Sequence, residues 1–160
     1  MEKNIVSNYG NKLRLRVCGI CIKNGKLLLI KHTGIGKHNE LWIPPGGGVE
    51  YLESTEIALK REFMEETGLE IEVKRFLFGN EHIQKPLHAV ELFFEVKQTG
   101  GTLKKGQDPE HNNEEQIITE VKFVTFKEIA VINKDKLHSC LQNLSDVKSL
   151  LNMRGNFKFC

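Results

Sequence analysis

The chain has 160 residues, 28% of them charged and 39% hydrophobic, with a formal net charge of +2. That size and balance fit one ordinary soluble domain over residues 1–160 and exclude disordered and fibrous classes. No apolar run approaches the roughly 20 residues that span a bilayer, and Met1-Glu2-Lys3-Asn4 lacks the charged-then-apolar start of a secretory signal, so no membrane contact and a cytoplasmic protein are expected.

Residues 14–22 and 26–32 read as strands joined by Asn24-Gly25, the preferred pair for a two-residue hairpin turn. Cys18-Gly19-Ile20-Cys21 has the CxxC form of a zinc or redox site. On a strand, however, residues three apart point to opposite faces, and no second Cys/His pair at finger spacing accompanies them. Buried thiols in a reducing compartment are the expectation. A polar loop, 33–40, leads to Leu41-Trp42-Ile43 and then to Pro44-Pro45-Gly46-Gly47-Gly48. Trp42 could stack on a base, but beside an apolar strand and a proline pair it reads as core.

Ser54 is placed to cap a helix over residues 55–67, and Gly68 stands where a helix-ending glycine belongs. Further strands are expected at 70–79, 87–97 and 116–124. The aperiodic stretch 98–113, with Gly100-Gly101, Gly106 and Asp108-Pro109, reads as the longest loop. Residues 126–130 suit a short helical turn. Leu137, Leu141, Leu144 and Leu151 keep roughly helical spacing, which predicts a C-terminal amphipathic helix over 135–152. Strands on both sides of a helix place the fold in the mixed α/β or α+β class.

The chemistry concentrates in GGVEYLESTEIALKREFMEETGL, residues 47–69. Glu62, Glu65 and Glu66 fall at i, i+3 and i+4 of the predicted helix, within an arc of roughly 100°. Like charges so spaced weaken a helix, and two readings compensate: a hard divalent cation, or a solvated acidic face assisted by Arg61. Spacing alone favours the solvated face. Charge along the chain suits a site that holds cations beside a polyanion, and ordinary surface variation explains it equally well: residues 1–46 carry +6, 47–120 carry −8 and 121–160 carry +4.

Gly47, Glu53, Arg61, Glu62, Phe63, Glu65, Glu66, Gly68 and Leu69 together meet every defined position of G-x5-E-x7-R-E-U-x-E-E-x-G-U, where U is bulky and apolar. This segment resembles the Nudix box. Trp42, Pro45-Gly46-Gly47, Val49 and Glu50 resemble the family's approach to it, and the general layout extends the resemblance over about residues 14–130. Two departures stand out: Leu52 where many members carry glycine, and Phe63 where an aliphatic residue is usual.

The resemblance implies a Nudix α/β/α sandwich with a mixed sheet and Mg²⁺-dependent, or Mn²⁺-dependent, hydrolysis of a diphosphate bond. Glu62, Glu65, Glu66 and the Gly47 carbonyl would hold the metal, Glu53 would ligate or support it, and Arg61 would hold the carboxylates together. The base would be a box glutamate or a later one, Glu114, Glu115 or Glu120, with Glu115 preferred. A small nucleotide is the implied substrate, and a homodimer accords with the family. Arg14 and Arg16 share a strand face and Lys31 lies on the paired strand; these three cations are candidates for the substrate phosphates.

Marks outside the box work mainly by elimination. Leu28-Leu29-Ile30-Lys31-His32 does not resemble the coenzyme A pyrophosphatase signature, and both tyrosines, Tyr9 and Tyr51, precede the region where dinucleoside polyphosphate hydrolases carry one. Pro86 accords with ADP-ribose hydrolases, although turn geometry explains a proline equally well. Nucleoside triphosphates and ADP-ribose-like sugars stay open. A non-catalytic nucleotide sensor is opposed by the complete carboxylate set, and RNA-end chemistry by the absence of a basic, aromatic-interleaved tract.

Overall fold

The computed structural model describes residues 10–36, 38–106 and 116–158. Strands β1 (Leu13–Lys23) and β2 (Lys26–Thr33) meet at Asn24-Gly25, whose φ values of 52° and 73° are those of the expected hairpin turn. The chain continues through β3 (Glu40–Ile43), β4 (Gly46–Gly48), helix α1 (Thr55–Thr67), β5 (Leu69–Gln84) and β6 (Leu87–Gly101). It ends with β7 (Ile118–Val124), the short helix α2 (Phe126–Ala130), three 3-10 turns and β8 (Asn156–Lys158). The strand order is β3-β2-β1-β6-β5-β8, with β4 added to β1 and β7 added to β2. The β1–β6 and β5–β8 pairs are parallel and the others antiparallel, so the sheet is mixed and the class α+β.

Alternation along β1 builds two cores, one on each face. Cys18 and Ile20 join Phe78, Phe93 and Leu29 on one side; Val17 and Cys21 join Leu28, Ile71 and Val96 on the other. The two cysteines of the CxxC therefore face apart, as strand geometry requires. Helix α1 supplies Ala58, Leu59 and Phe63 to the second core. Gly19 accounts for the unusual aromatic at 63, because a Cβ there would overlap the Phe63 ring. One residue type yields so that its neighbour can be larger. The other departure, Leu52, keeps the turn before the helix by adopting φ 68°, a left-handed conformation costing roughly 1 kcal/mol for a side chain of this kind.

Two expectations are corrected. The C-terminal amphipathic helix over 135–152 is absent; Lys134–Lys136, Ser139–Leu141 and Val147–Asn152 form separate 3-10 turns. Asn133 and Asp146 each cap one turn by accepting backbone N–H bonds on the side chain, which competes with a continuous helix. The leucines still reach the core, with Leu137, Leu141 and Leu150 buried. These turns and α2 cover the face opposite α1, where the sandwich would have a second helical layer. The loop expected from residue 98 begins later, because residues 98–101 complete β6.

Candidate active site

The site is assembled where α1 meets β4. Ser54 accepts the Ile57 N–H at 3.2 Å to start the helix, and Gly68, at φ 68°, ends it by donating to the Met64 carbonyl at 3.0 Å. The end is tied down further by Lys104 N–H on Thr67 O, 3.0 Å, and Gly106 N–H on Glu66 O, 2.9 Å. These bonds satisfy carbonyls that the helix itself leaves open. The helix face beside its apolar stripe carries Glu62 and Glu66, 8% and 3% exposed.

Arg61 is the hub of the cluster. Its Nε and Nη2 grip both oxygens of Glu53 at 2.9 and 2.8 Å, and Nη2 also donates to Gly48 O at 3.0 Å. Nη1 donates to Glu62 at 2.9 Å and to Glu65 at 3.2 Å. A guanidinium has five N–H donors, and all five are used. Both oxygens of Glu53 hold Arg61, and one also accepts the Glu50 N–H at 3.1 Å.

Glu66 is fixed separately. Its Oε2 accepts the Gly46 N–H at 2.8 Å, and its Oε1 lies 3.9 Å from His32 Nε2. Gly47 lies directly over Glu62, and a Cβ on it would overlap that carboxylate. Burial pushes the Glu62 carboxyl up to about 7 against the pull of Arg61, with Glu65 adding to the rise. Among the described residues no three His, Cys, Asp or Glu side chains converge as an ion site. The donor set nevertheless fits a hard divalent cation: two buried carboxylates and a third beside them under a glycine strand.

The three candidate phosphate contacts separate. Arg16 reaches the site, with Nη2 3.4 Å from Gly46 O and Nε 3.5 Å from Glu91 Oε1. Arg14 lies two residues earlier on the same strand face, and it pairs in register with Ala89. Lys31 does not join the carboxylates: it ion-pairs with Glu40 at 3.4 Å and sits 5.7 Å from the Trp42 ring. Its neighbour His32 takes the inward position instead, as alternation along β2 dictates. Trp42 is 5% exposed, a core residue as expected, with Lys122 also 4.9 Å from its ring. Glu120 pairs with Lys122 on β7, while Glu114 and Glu115 lie outside the described residues.

A buried polar chain behind Arg16 escaped the sequence reading. Glu91 Oε2 accepts from Asn80 Nδ2 at 2.6 Å and from His138 Nε2 at 2.9 Å. His138 Nδ1 lies 3.1 Å from Cys140 Sγ and 3.3 Å from its backbone N; the protonated ring can use only the first, as donor. Burial opposes charge on both partners, yet the facing carboxylate holds His138 up at about 10. His138, Arg16 and Asn80 in turn hold Glu91 down at about 2. The available signal was Glu91 itself, a charge in the inward series Ala89, Glu91, Phe93.

This pair fixes a pH dependence. The raised His138 contributes stability that is full below its ordinary 6.5 and is lost as pH rises through about 10. The lowered Glu91 contributes stability that is present above 4.5 and is lost as pH falls through about 2. The difference in melting temperature between wild type and His138→Gln, followed by circular dichroism, should be greatest between about pH 5 and 6.5 and shrink toward about pH 10. A difference that grows with rising pH would show that the ring is buried neutral.

Comparison with known proteins follows the same residues. The NUDIX domain pattern matches residues 12–144. The chain belongs to the Nudix hydrolase family. An ADP-ribose pyrophosphatase of Methanocaldococcus jannaschii is 38% identical over 94 residues, covering 58% of this chain and 55% of that protein. A putative ADP-ribose pyrophosphatase of Bacillus subtilis is 29% identical over 100 residues, covering 59% and 46%. The chain thus spans about half the length of the curated relatives it matches. Among solved structures, a MutT protein from Methanosarcina mazei aligns with a TM-score of 0.62 at 20% identity, over 81% of this chain and 87% of that one. An ADP-ribose pyrophosphatase from Streptococcus suis aligns at 0.61 and 17%, over 90% and 98%. These two likenesses establish the fold. No helix among the described residues is long and apolar enough to cross a membrane.

Proposed function

We propose that this Nudix protein uses Mg²⁺ to hydrolyse the diphosphate of an ADP-ribose-like nucleotide sugar. The observation that carries the reading is the gathering of Glu53, Glu62 and Glu65 on one arginine, with Glu66 anchored beside them under β4. The names of the two curated relatives support the choice of sugar nucleotide.

Glu62, Glu65, Glu66 and the Gly47 carbonyl would hold the ion. Bound Mg²⁺ supplies charge neutralisation and polarisation of the phosphoryl oxygens. Arg16, and Arg14 at the outer end of the same face, would bind phosphate oxygens by charge-assisted hydrogen bonds. Water attacks phosphorus, its proton passes to a carboxylate, and the second phosphate departs with the anhydride oxygen. Glu115 is the proposed acceptor from outside the box. A box glutamate is the alternative acceptor.

Incubation with Mg²⁺ and a panel of ADP-ribose, nucleoside triphosphates, dinucleoside polyphosphates and triphosphate-ended RNA tests this. AMP and ribose 5-phosphate from ADP-ribose are the expected products. Faster cleavage of a triphosphate would overturn the substrate class, and tight binding of one ligand without cleavage of any would make the protein a sensor.

A further inference from the structure

Three adjacent strands, β5, β6 and β1, present matched rows of side chains on the face opposite α1. The deep row, Phe78, Phe93 and Cys18, is apolar and fully buried, and the two rings stack at 4.5 Å. The next row outward is Asn80, Glu91 and Arg16. The third is His82, Ala89 and Arg14. Cross-strand neighbours on one face are the contacts a sheet stabilises most directly, so a row is a unit.

The middle row is built at a cost. Asn80 is 2% exposed, and its Oδ1 has no hydrogen-bond partner among the described residues, which is destabilising. The amide cannot turn over to relieve this, because only its NH₂ end can donate to Glu91 Oε2. Apolar side chains would have continued the row beneath and avoided the penalty. What the polar row achieves is the orientation of one carboxylate. Asn80 and His138 both occupy Oε2, which leaves Oε1 turned to the Arg16 Nε. Arg16 then spans from Glu91 to the carbonyl of Gly46, the residue before Gly47.

We propose that Asn80, Glu91 and His138 are positioning residues, which hold Arg16 in the orientation that grips a phosphate of the substrate. The inference rests on the functional reading above, because it needs a diphosphate for Arg16 to bind. An arginine side chain otherwise samples many rotamers, and fixing it beforehand lowers the cost of binding. The bonds of Asn80, Glu91 and His138 run to one another, to Cys140 and to Arg16, away from the carboxylates of α1, so their loss should weaken binding and spare the chemical step.

Asn80→Leu is the deciding variant, since it keeps the number and branching of the side-chain heavy atoms and removes both the Glu91 donor and the unpartnered oxygen. With the best substrate of the panel, KM should rise about fivefold or more while kcat stays within about threefold, and the melting temperature should hold or rise. Glu91→Gln should raise KM further. In the double variant Arg16→Lys/Asn80→Leu, KM should match that of Arg16→Lys alone, because both act through one guanidinium. A native KM in folded Asn80→Leu, or KM factors that multiply in the double variant, would overturn the inference even if Glu91→Gln fails to fold. A wild type that cleaves no diphosphate overturns the functional reading and this inference together. One that cleaves a diphosphate with a KM indifferent to Asn80→Leu overturns only the inference.

Discussion

Glu66→Gln should lower kcat by about 10²-fold or more at saturating Mg²⁺ while leaving the protein folded. The residue is 3% exposed and its side chain keeps its size in the variant, so no cavity forms. The glutamine amide oxygen can still accept the Gly46 N–H that Glu66 now accepts at 2.8 Å. Only the charge is removed. Glu62 and Glu66 are like charges at i, i+4, a pairing worth a few tenths of a kcal/mol of repulsion in an isolated helix. Without metal, the variant should therefore melt at the wild-type temperature or slightly above it. With Mg²⁺ the order should reverse, because an ion bound to the native state stabilises it by mass action and the variant binds it less well. Thermal melts with and without Mg²⁺, beside steady-state kinetics, read both effects. Turnover near the wild-type rate would remove Glu66 from the metal site.

Much of this arrangement was legible in the residues, and for identifiable reasons. The hairpin at Asn24-Gly25, the cap at Ser54 and the stop at Gly68 are local signals, decided by one or two residues' own conformational preferences. The facing apart of Cys18 and Cys21 needed only strand alternation. The C-terminal leucines misled because spacing records which residues are buried, not how the backbone carries them there. Capping side chains at Asn133 and Asp146 broke the run into 3-10 turns while the same leucines stayed inside. Lys31 and His32 show the same limit at the site. Which of two adjacent residues faces α1 depends on strand register, and that depends on β3 and β7, distant in sequence. The Asn80–Glu91–His138 chain draws on β5, β6 and a 3-10 turn, so no window of sequence contains it.

Arg61→Lys carries the second large effect, and the reason is geometric rather than a matter of net charge. Arg61 uses its five donors on Glu53, Glu62, Glu65 and Gly48 O, and its charge is strengthened by the carboxylates around it. Lysine has three donors on a compact ammonium and cannot grip Glu53 with two parallel bonds while reaching across to Glu62 and Glu65. Its positive charge remains, so ordinary screening of the carboxylates would survive; their alignment would not. The side chain is 26% exposed, which moderates the stability loss to about 1–2 kcal/mol. The catalytic loss should be larger, about 10- to 100-fold in kcat, the range found when partners that orient metal ligands are removed. Added Mg²⁺ should recover part of the melting temperature, because the ion neutralises the same carboxylates that Arg61 gathers. It should not recover kcat, since Glu53 would no longer be tied to the helix. Full activity at high Mg²⁺ would show that Arg61 contributes charge alone, and that the fork seen on Glu53 plays no part in setting the carboxylates.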